Sequence, residues 1–264
     1  MYPFFEVKQS GNHNFFSSKL LTNFSFPPHL HPYVEMVYIK EGSIEVTING
    51  DSRILQEGEA AICFPNDIHG FCSITGSKIM TFIFSPEITG SYFGIRNDKT
   101  LENPFIPASI MDKELCSLLL LLHDEYVNSN NRYVIKGLLY TILGKLDSYF
   151  ILKSSSHSYS STIQSLLKYV EMHYHENLTL DSISKDLGFS KFYLSRIFSN
   201  KIGYQFNDYI NRLRINRAQK LLNETDLPIT TIALECGFES QRNFNRIFKE
   251  LTSRTPTEFR KSIT

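Results

Sequence analysis

Two stretches near the C-terminus decide how the chain reads. The first is Ile183-Ser-Lys-Asp-Leu-Gly188-Phe189 followed by Ser190-Lys-Phe-Tyr-Leu-Ser-Arg196-Ile197-Phe198. The second is Ile232-Ala-Leu-Glu-Cys-Gly237-Phe238 followed by Ser240-Gln-Arg-Asn-Phe-Asn-Arg246-Ile247-Phe248. Ser190 and Ser240 stand 50 residues apart, as do the two Arg-Ile-Phe triplets, whereas Gly-Phe recurs at 49, so Glu239 is a one-residue insertion in the second turn. Each copy has the physics of a helix-turn-helix. Gly188 or Gly237 ends a short helix in the left-handed conformation, and Ser190 or Ser240 caps the next by accepting a backbone N–H. Leu194, Ile197 and Phe198, and likewise Phe244, Ile247 and Phe248, form one apolar stripe at helical spacing. The opposite faces carry Lys191, Phe192, Tyr193, Ser195 and Arg196, and Gln241, Arg242, Asn245 and Arg246. Most of these are side-chain types that pair with base edges and phosphates in a major groove. Phe192 suits a thymine methyl, and Tyr193 suits the DNA backbone. A single copy would read equally well as a helical hairpin with a solvated face; the duplication argues against that.

From about Ser161 to Lys261 the chain resembles the AraC/XylS family of transcriptional regulators. The match is strongest over Gly237-Phe238-Glu239-Ser240 and Arg246-Ile247-Phe248-Lys249, and continues into Thr255-Pro256 and Phe259-Arg260. Tyr209, Arg212, Leu213, Arg214, Ala218, Leu221 and Leu222, between the motifs, also fit. Ser253 stands where the family usually has Gly, and Ser184 where it often has Ala. The resemblance implies double-stranded DNA as partner, with RNA polymerase a further candidate. Both recognition helices lie in one chain, so a single copy is expected to read two major-groove segments about 34 Å apart. Arg212, Arg214 and Arg217, on the helix between the motifs, are expected as phosphate clamps or salt-bridge partners.

Charge supports the assignment. The 264 residues carry 27 basic and 27 acidic side chains, but residues 1–156 hold 12 and 16, net −4, and residues 157–264 hold 15 and 11, net +4. The DNA partner therefore belongs to the C-terminal part. Cys63, Cys72, Cys116 and Cys236 lack metal-ligand spacing and read as reduced, mostly buried thiols. The N-terminus has no secretory pattern and no apolar run reaches 18 residues, so a cytoplasmic protein without membrane contact is expected.

Residues 1–108 alternate short strands with turns: 36–39 and 43–48 around Lys40-Glu41-Gly42, a hairpin signal at Asn49-Gly50-Asp51, then 60–64 and 78–84. Here lies His29-Leu-His31-Pro-Tyr-Val-Glu35, with Gly42 seven residues on, and then Gly58 followed by Pro65-Asn66-Asp67-Ile68-His69. These resemble the two motifs of the cupin barrel, a small jelly roll; the second is looser, with one spacing a residue long and another a residue short. If 29–35 is one strand, alternation turns His29, His31 and Glu35 to one face. Three readings of His29, His31, Glu35 and His69 stay open: a pocket for a small organic effector, a sugar among the candidates; a divalent metal site; or a self-satisfied polar network. The AraC/XylS resemblance favours the effector site. No metal or cofactor is assigned.

Residues 109–153 switch to helical period. Leu115, Leu118, Leu119, Leu122 and Tyr126 repeat at three and four, as do Ile135, Leu138, Leu139, Ile142 and Leu146. Five consecutive leucines, 118–122, exceed what one face needs and suggest a homodimer through this segment. A Ser-rich linker is expected at 154–161, preceded by Lys153, and the DNA-binding domain at 162–264, opening with a helix over 162–175. His173 and His175 read as surface residues at its end. The expected fold is thus α+β multidomain: a cupin-like jelly roll with two helices, then an all-α domain with two helix-turn-helix motifs. The function that follows is an effector-responsive, sequence-specific DNA-binding regulator and not an enzyme. The rivals are a metal-dependent cupin enzyme with a DNA-binding tail and a constitutive DNA binder. No phosphate-binding glycine loop or nucleophile elbow supports NTP or serine hydrolysis.

Overall fold

The computed structural model describes residues 15–90, 92, 99–154 and 161–261. It divides into two compact units, one holding the described residues through Ser154 and the other those from Ser161 onward.

The first unit is a barrel of short and long strands: β1 Phe16–Thr22, β2 Phe26–His29, β3 Val34–Ile48, β4 Asp51–Gln56, β5 Ala60–Cys63, β6 His69–Phe84, β7 Lys99–Leu101, β8 Phe105–Ile106 and β9 Leu152–Ser154. Seven of them form one antiparallel sheet around β3 and β6, which pair from Val34↔Phe84 to Ile48↔His69; β7 and β9 form a separate ribbon. The strands expected at 36–39 and 43–48 are in fact a single strand, and 78–84 is the second half of β6. The expected break at Lys40-Glu41-Gly42 is a bend with register shifts. Gly42 has φ +71°, and a Cβ there would lie 2.7 Å from the Gly76 carbonyl oxygen, so only glycine lets the two strands fold over together at this corner. The hairpin at Asn49-Gly50 forms as the sequence predicts: Ile48 pairs with Asp51, and both loop residues have the positive φ that a two-residue turn needs.

Alternation sorts β3 by face. Val34 and Met36 join Ala60, Ile62, Met80, Phe82 and Phe84 in an apolar cluster that two helices cover, α1 Lys113–Asn128 and α2 Arg132–Leu146. Their Leu115, Leu119, Leu122, Ile135, Leu139, Ile142, Leu143 and Leu146 belong to that same cluster. The helices therefore share the barrel's core, and most of their apolar stripe is used there. Leu120, Leu121, Val127, Tyr133 and Val134 remain exposed. Glu35, between Val34 and Met36, points to the opposite, interior side.

The second unit contains α3 Ser161–His173, α4 Leu180–Leu187, α5 Lys191–Ile197 continued by a π turn over Phe198–Ile202, α6 Phe206–Glu224, α7 Ile229–Glu235, α8 Gln241–Thr252 and α9 Pro256–Lys261. The first of these ends two residues earlier than expected. Gly188 (φ +73°) and Gly237 (φ +86°) take the left-handed turn positions, and Ser190 and Ser240 accept the N–H of Tyr193 and Asn243, both at 3.3 Å. The long α6 spans both motifs. Tyr209 packs on Phe198 of the first, while Ile215, Ala218, Leu221 and Leu222 share a core with Ile232, Phe238, Phe244 and Phe248 of the second. Of the expected linker, Ser154 ends β9 and Ser161 opens α3; the rest lies outside the described residues, as does the extreme N-terminus. No described helix is long and apolar enough to cross a membrane. Of the four free cysteines only Cys63 and Cys236 are buried; Cys116 is half-buried and Cys72 exposed.

Candidate functional site

The four barrel residues converge. His29, His31, Glu35 and His69 are 9%, 2%, 1% and 1% exposed, and each offers a ligand atom within 4.8 Å of the others. They arrive by different routes. His29 ends β2 and pairs across the sheet with His69, the first residue of β6, with ring centroids 4.3 Å apart. Glu35 comes from β3. His31 corrects the expectation of one continuous strand, because β2 stops at His29 and residues 30–33 form a loop that bends at Pro32-Tyr33. Pro27, Pro28 and Pro32 supply no N–H for pairing, and the His31 carbonyl instead accepts the Asn66 N–H at 2.8 Å. The shared face that alternation promised is thus reached through a loop.

Hydrogen bonds aim the rings. The Nδ1–H of His29 donates to the Pro27 carbonyl at 3.1 Å and that of His69 to the Asp67 carbonyl at 2.8 Å. Nδ1 of His31 sits between the carbonyl and N–H of Tyr33, at 3.2 and 3.3 Å. With Nδ1 engaged outward, Nε2 of His31 and of His69 lie 3.0 and 3.2 Å from the same carboxylate oxygen, Glu35 Oε2. The other oxygen, Oε1, is buried without a hydrogen-bond partner. Burial holds the His29 and His31 imidazoles below their usual range, the neighbouring His69 adding to the effect, so both favour the neutral, lone-pair-bearing form. Burial alone would push the Glu35 carboxyl up, but the bonds from His31 and His69 outweigh it and hold the group as a carboxylate; the same bond raises His69 against its own burial. Phe26 and Phe71 ring the cluster, at 4.4 and 6.5 Å from the His29 ring.

These residues fit a divalent metal ion. Three imidazoles with Nδ1 backed by local polar groups present Nε2 inward, as metal-ligating histidines do. A carboxylate with one orphaned buried oxygen completes the donor set; such an orphan costs about 1–3 kcal/mol unless something pairs with it. Asp67 supports the site and was not singled out by the sequence. Its turn carries His69, and its buried carboxylate accepts the Phe64 N–H at 2.8 Å, the Asn49 amide at 2.7 Å and the Thr100 hydroxyl at 3.1 Å. The Pro65-Asn66-Asp67 turn signal was the available hint. Nothing local marks Thr100.

In the second unit the residues expected to face DNA are mostly at the surface. Lys191, Phe192, Tyr193, Arg196, Gln241, Arg242, Asn245 and Arg246 are exposed and Ser195 is half-buried; Phe192 stands 83% free. Lys191 pairs with Asp181 at 2.6 Å, and Arg246 reaches Glu250 and Asn243, both at 3.1 Å. These exposed contacts are cheap to exchange for phosphate or base contacts. The connecting helix departs from expectation. Arg214 is engaged within the unit: its Nε–H and Nη2–H donate to the carbonyls of Tyr174 and Glu176 at 2.8 and 2.7 Å. Arg212 lies over the Tyr204 ring, its guanidinium carbon 4.9 Å from the centroid. The chain just past α3 is thereby tied to α6. It also abuts the second motif, since a Cβ on Gly237 would lie 2.5 Å from the His175 carbonyl oxygen.

The chain thus joins a cupin-type barrel with a buried three-histidine, one-carboxylate cluster to a domain with two helix-turn-helix motifs. Comparison with known proteins agrees. Residues 183–262 match the helix-turn-helix domain family and residues 19–86 the cupin domain family. The chain thus carries both domain types that its resemblance to the AraC/XylS regulators implied. It is 27% identical over 253 residues to the Msm operon regulatory protein of Streptococcus mutans, covering 94% of this chain and 91% of that one. An uncharacterized HTH-type transcriptional regulator of Staphylococcus aureus is 39% identical over 98 residues, 37% of this chain; the match spans only 13% of that protein's length. The fold is shared with ToxT from Vibrio cholerae, solved with (E)-4-(8-methylnaphthalen-1-yl)but-3-enoic acid bound, at TM-score 0.59 and 17% identity over 94% of this chain and 99% of that one.

Proposed function

We propose that the protein is a sequence-specific DNA-binding transcription regulator that responds to a small effector held in its barrel. The observation that carries the reading is the pair of matched recognition helices on one chain, each with an exposed polar face and a buried apolar stripe. Lys191, Phe192, Tyr193, Ser195 and Arg196 face one groove segment, and Gln241, Arg242, Asn245 and Arg246 the next. Capture of genomic fragments by the full chain tests this: enrichment of a site with two recognisable segments about one helical turn apart supports it, and uniform capture rejects it. The exposed apolar residues of α1 and α2 support a homodimer through these helices.

His29, His31, Glu35 and His69 form the effector site. The outward-backed rings and the orphaned Glu35 oxygen favour a divalent cation as the bound species over a purely organic ligand. These four would hold it, and the bound ion would supply a positive charge that offsets the buried Glu35 carboxylate. The protein purified without chelator is expected to carry one divalent ion per chain, lost in His31→Ala and His69→Ala. EDTA should lower the melting temperature of the barrel. Protein that neither carries nor takes up Zn2+, Mn2+, Fe2+ or Ni2+ returns the site to the organic effector. The absence of any ligand-dependent change in DNA affinity would favour a constitutive binder, and turnover of a small substrate by the loaded barrel would favour the enzyme.

A further inference from the structure

We propose that Asp67 and Thr100 are positioning residues that link the barrel cluster to the strand from which the chain leaves for the DNA-binding unit. The proposal rests on the reading of the four clustered side chains as a ligand site. The contacts run without a gap. His69 Nδ1–H donates to the Asp67 carbonyl at 2.8 Å, and the Asp67 carboxylate accepts the Thr100 hydroxyl at 3.1 Å. Thr100 is the middle residue of β7, where it pairs with Lys153 of β9, flanked by Lys99↔Ser154 and Leu101↔Leu152. Just past the ribbon the Glu102 N–H donates to the Ile151 carbonyl at 2.9 Å. β9 ends at Ser154 and α3 opens at Ser161, so six residues separate the ribbon from the DNA-binding unit.

The ribbon has the properties of a movable element. It stands apart from the seven-stranded sheet, and each strand has three residues. A two-stranded ribbon of that length is marginal alone, so its ties decide whether it holds. One tie is Leu101, buried in the barrel core with Leu152 against it. A second is the Thr100–Asp67 bond, and Asp67 is the residue whose carbonyl orients His69. An occupant that fixes the His69 ring fixes the 65–69 turn, and with it the acceptor on which Thr100 closes the ribbon. The coupling is real only if perturbing one end changes the other by more than each change alone.

The test uses the full chain with Zn2+ as probe and Thr100→Val, which keeps the shape of the side chain and removes the hydroxyl. Hydrogen exchange is followed at the amides of 99–101 and 152–154, alongside Zn2+ affinity and DNA affinity. Zn2+ is expected to slow exchange in the ribbon of the wild type by on the order of tenfold. Thr100→Val should lose most of that slowing, bind Zn2+ more weakly by up to about the same factor because the coupling is reciprocal, and show a smaller Zn2+-dependent change in DNA affinity. A variant that keeps the full response, or a wild type that binds Zn2+ with no change in the ribbon, overturns the proposal. If Zn2+ does not bind, the cation reading fails, and the link is judged without metal. His69→Gln, Thr100→Val and the double variant then form a cycle in ribbon exchange. Additive effects overturn the link, and non-additive effects sustain it.

Discussion

Ser253 closes helix α8 with φ +60°, a left-handed conformation that costs a side-chain-bearing residue about 1 kcal/mol relative to glycine. It is also the position where the sequence departs from the Gly usual in the AraC/XylS pattern it resembles. Ser253→Gly is therefore expected to stabilise the C-terminal unit by about 1 kcal/mol, read as an upward shift of that unit's transition in calorimetry; an unchanged or lower transition refutes the strain argument. Arg246 illustrates a different kind of residue-scale choice. Its guanidinium rests on Glu250 and Asn243 at the exposed surface, so the free protein gains little from it. Arg246→Ala should leave stability intact, lower specific DNA affinity by about 1–3 kcal/mol and relax preference at one or two bases. Equal weakening on every sequence, with a flatter salt dependence, would mean that Arg246 touches phosphate only.

At the scale of elements, α1 shows how one run of leucines divides its work. Leu119 and Leu122 are fully buried against the barrel, whereas Leu121 is 50% exposed and Leu120 is exposed with it. Asp at position 119 would put a charge into the core and cost at least about 3 kcal/mol, enough to unfold many domains. Leu121→Asp should keep the fold and, if α1 and α2 form the homodimer surface, yield a monomer by sedimentation. A wild-type chain that sediments as a monomer rejects the dimer. The connecting helix α6 makes the complementary point. Its polar Arg214 serves the protein, bonded to the turn that follows α3, although its residue type equally suits a phosphate.

For the molecule as a whole, each unit has its own apolar core, one around the barrel and its two helices and one around α6 and the second motif. The segment 158–264 is therefore expected to fold alone and to keep sequence-specific DNA binding, weaker than the full chain where dimerisation adds avidity. Gel-shift titration of that segment checks this, and a folded segment that ignores DNA would reject it. Regulation then requires the effector to prefer one arrangement of the whole chain; a ligand bound equally by all arrangements shifts nothing.

What the sequence determined by itself was short-range. The two helix-turn-helix motifs, their glycine stops and serine caps, the Asn49-Gly50 hairpin and the apolar stripes of α1 and α2 are all encoded within about ten residues of chain. The candidate cluster was also legible as a spacing, but its shared face is not reached along one strand, because β2 stops at His29 and the loop containing Pro32 delivers His31. Tertiary structure decided which leucines are core, what Arg214 holds, that Glu35 keeps a buried oxygen without a partner, and that Thr100 reaches Asp67 across 33 residues. Those outcomes depend on which surfaces meet across the barrel and across α6. Residues far apart in sequence leave no local periodicity, and only the packed core brings their donors and acceptors within bonding distance.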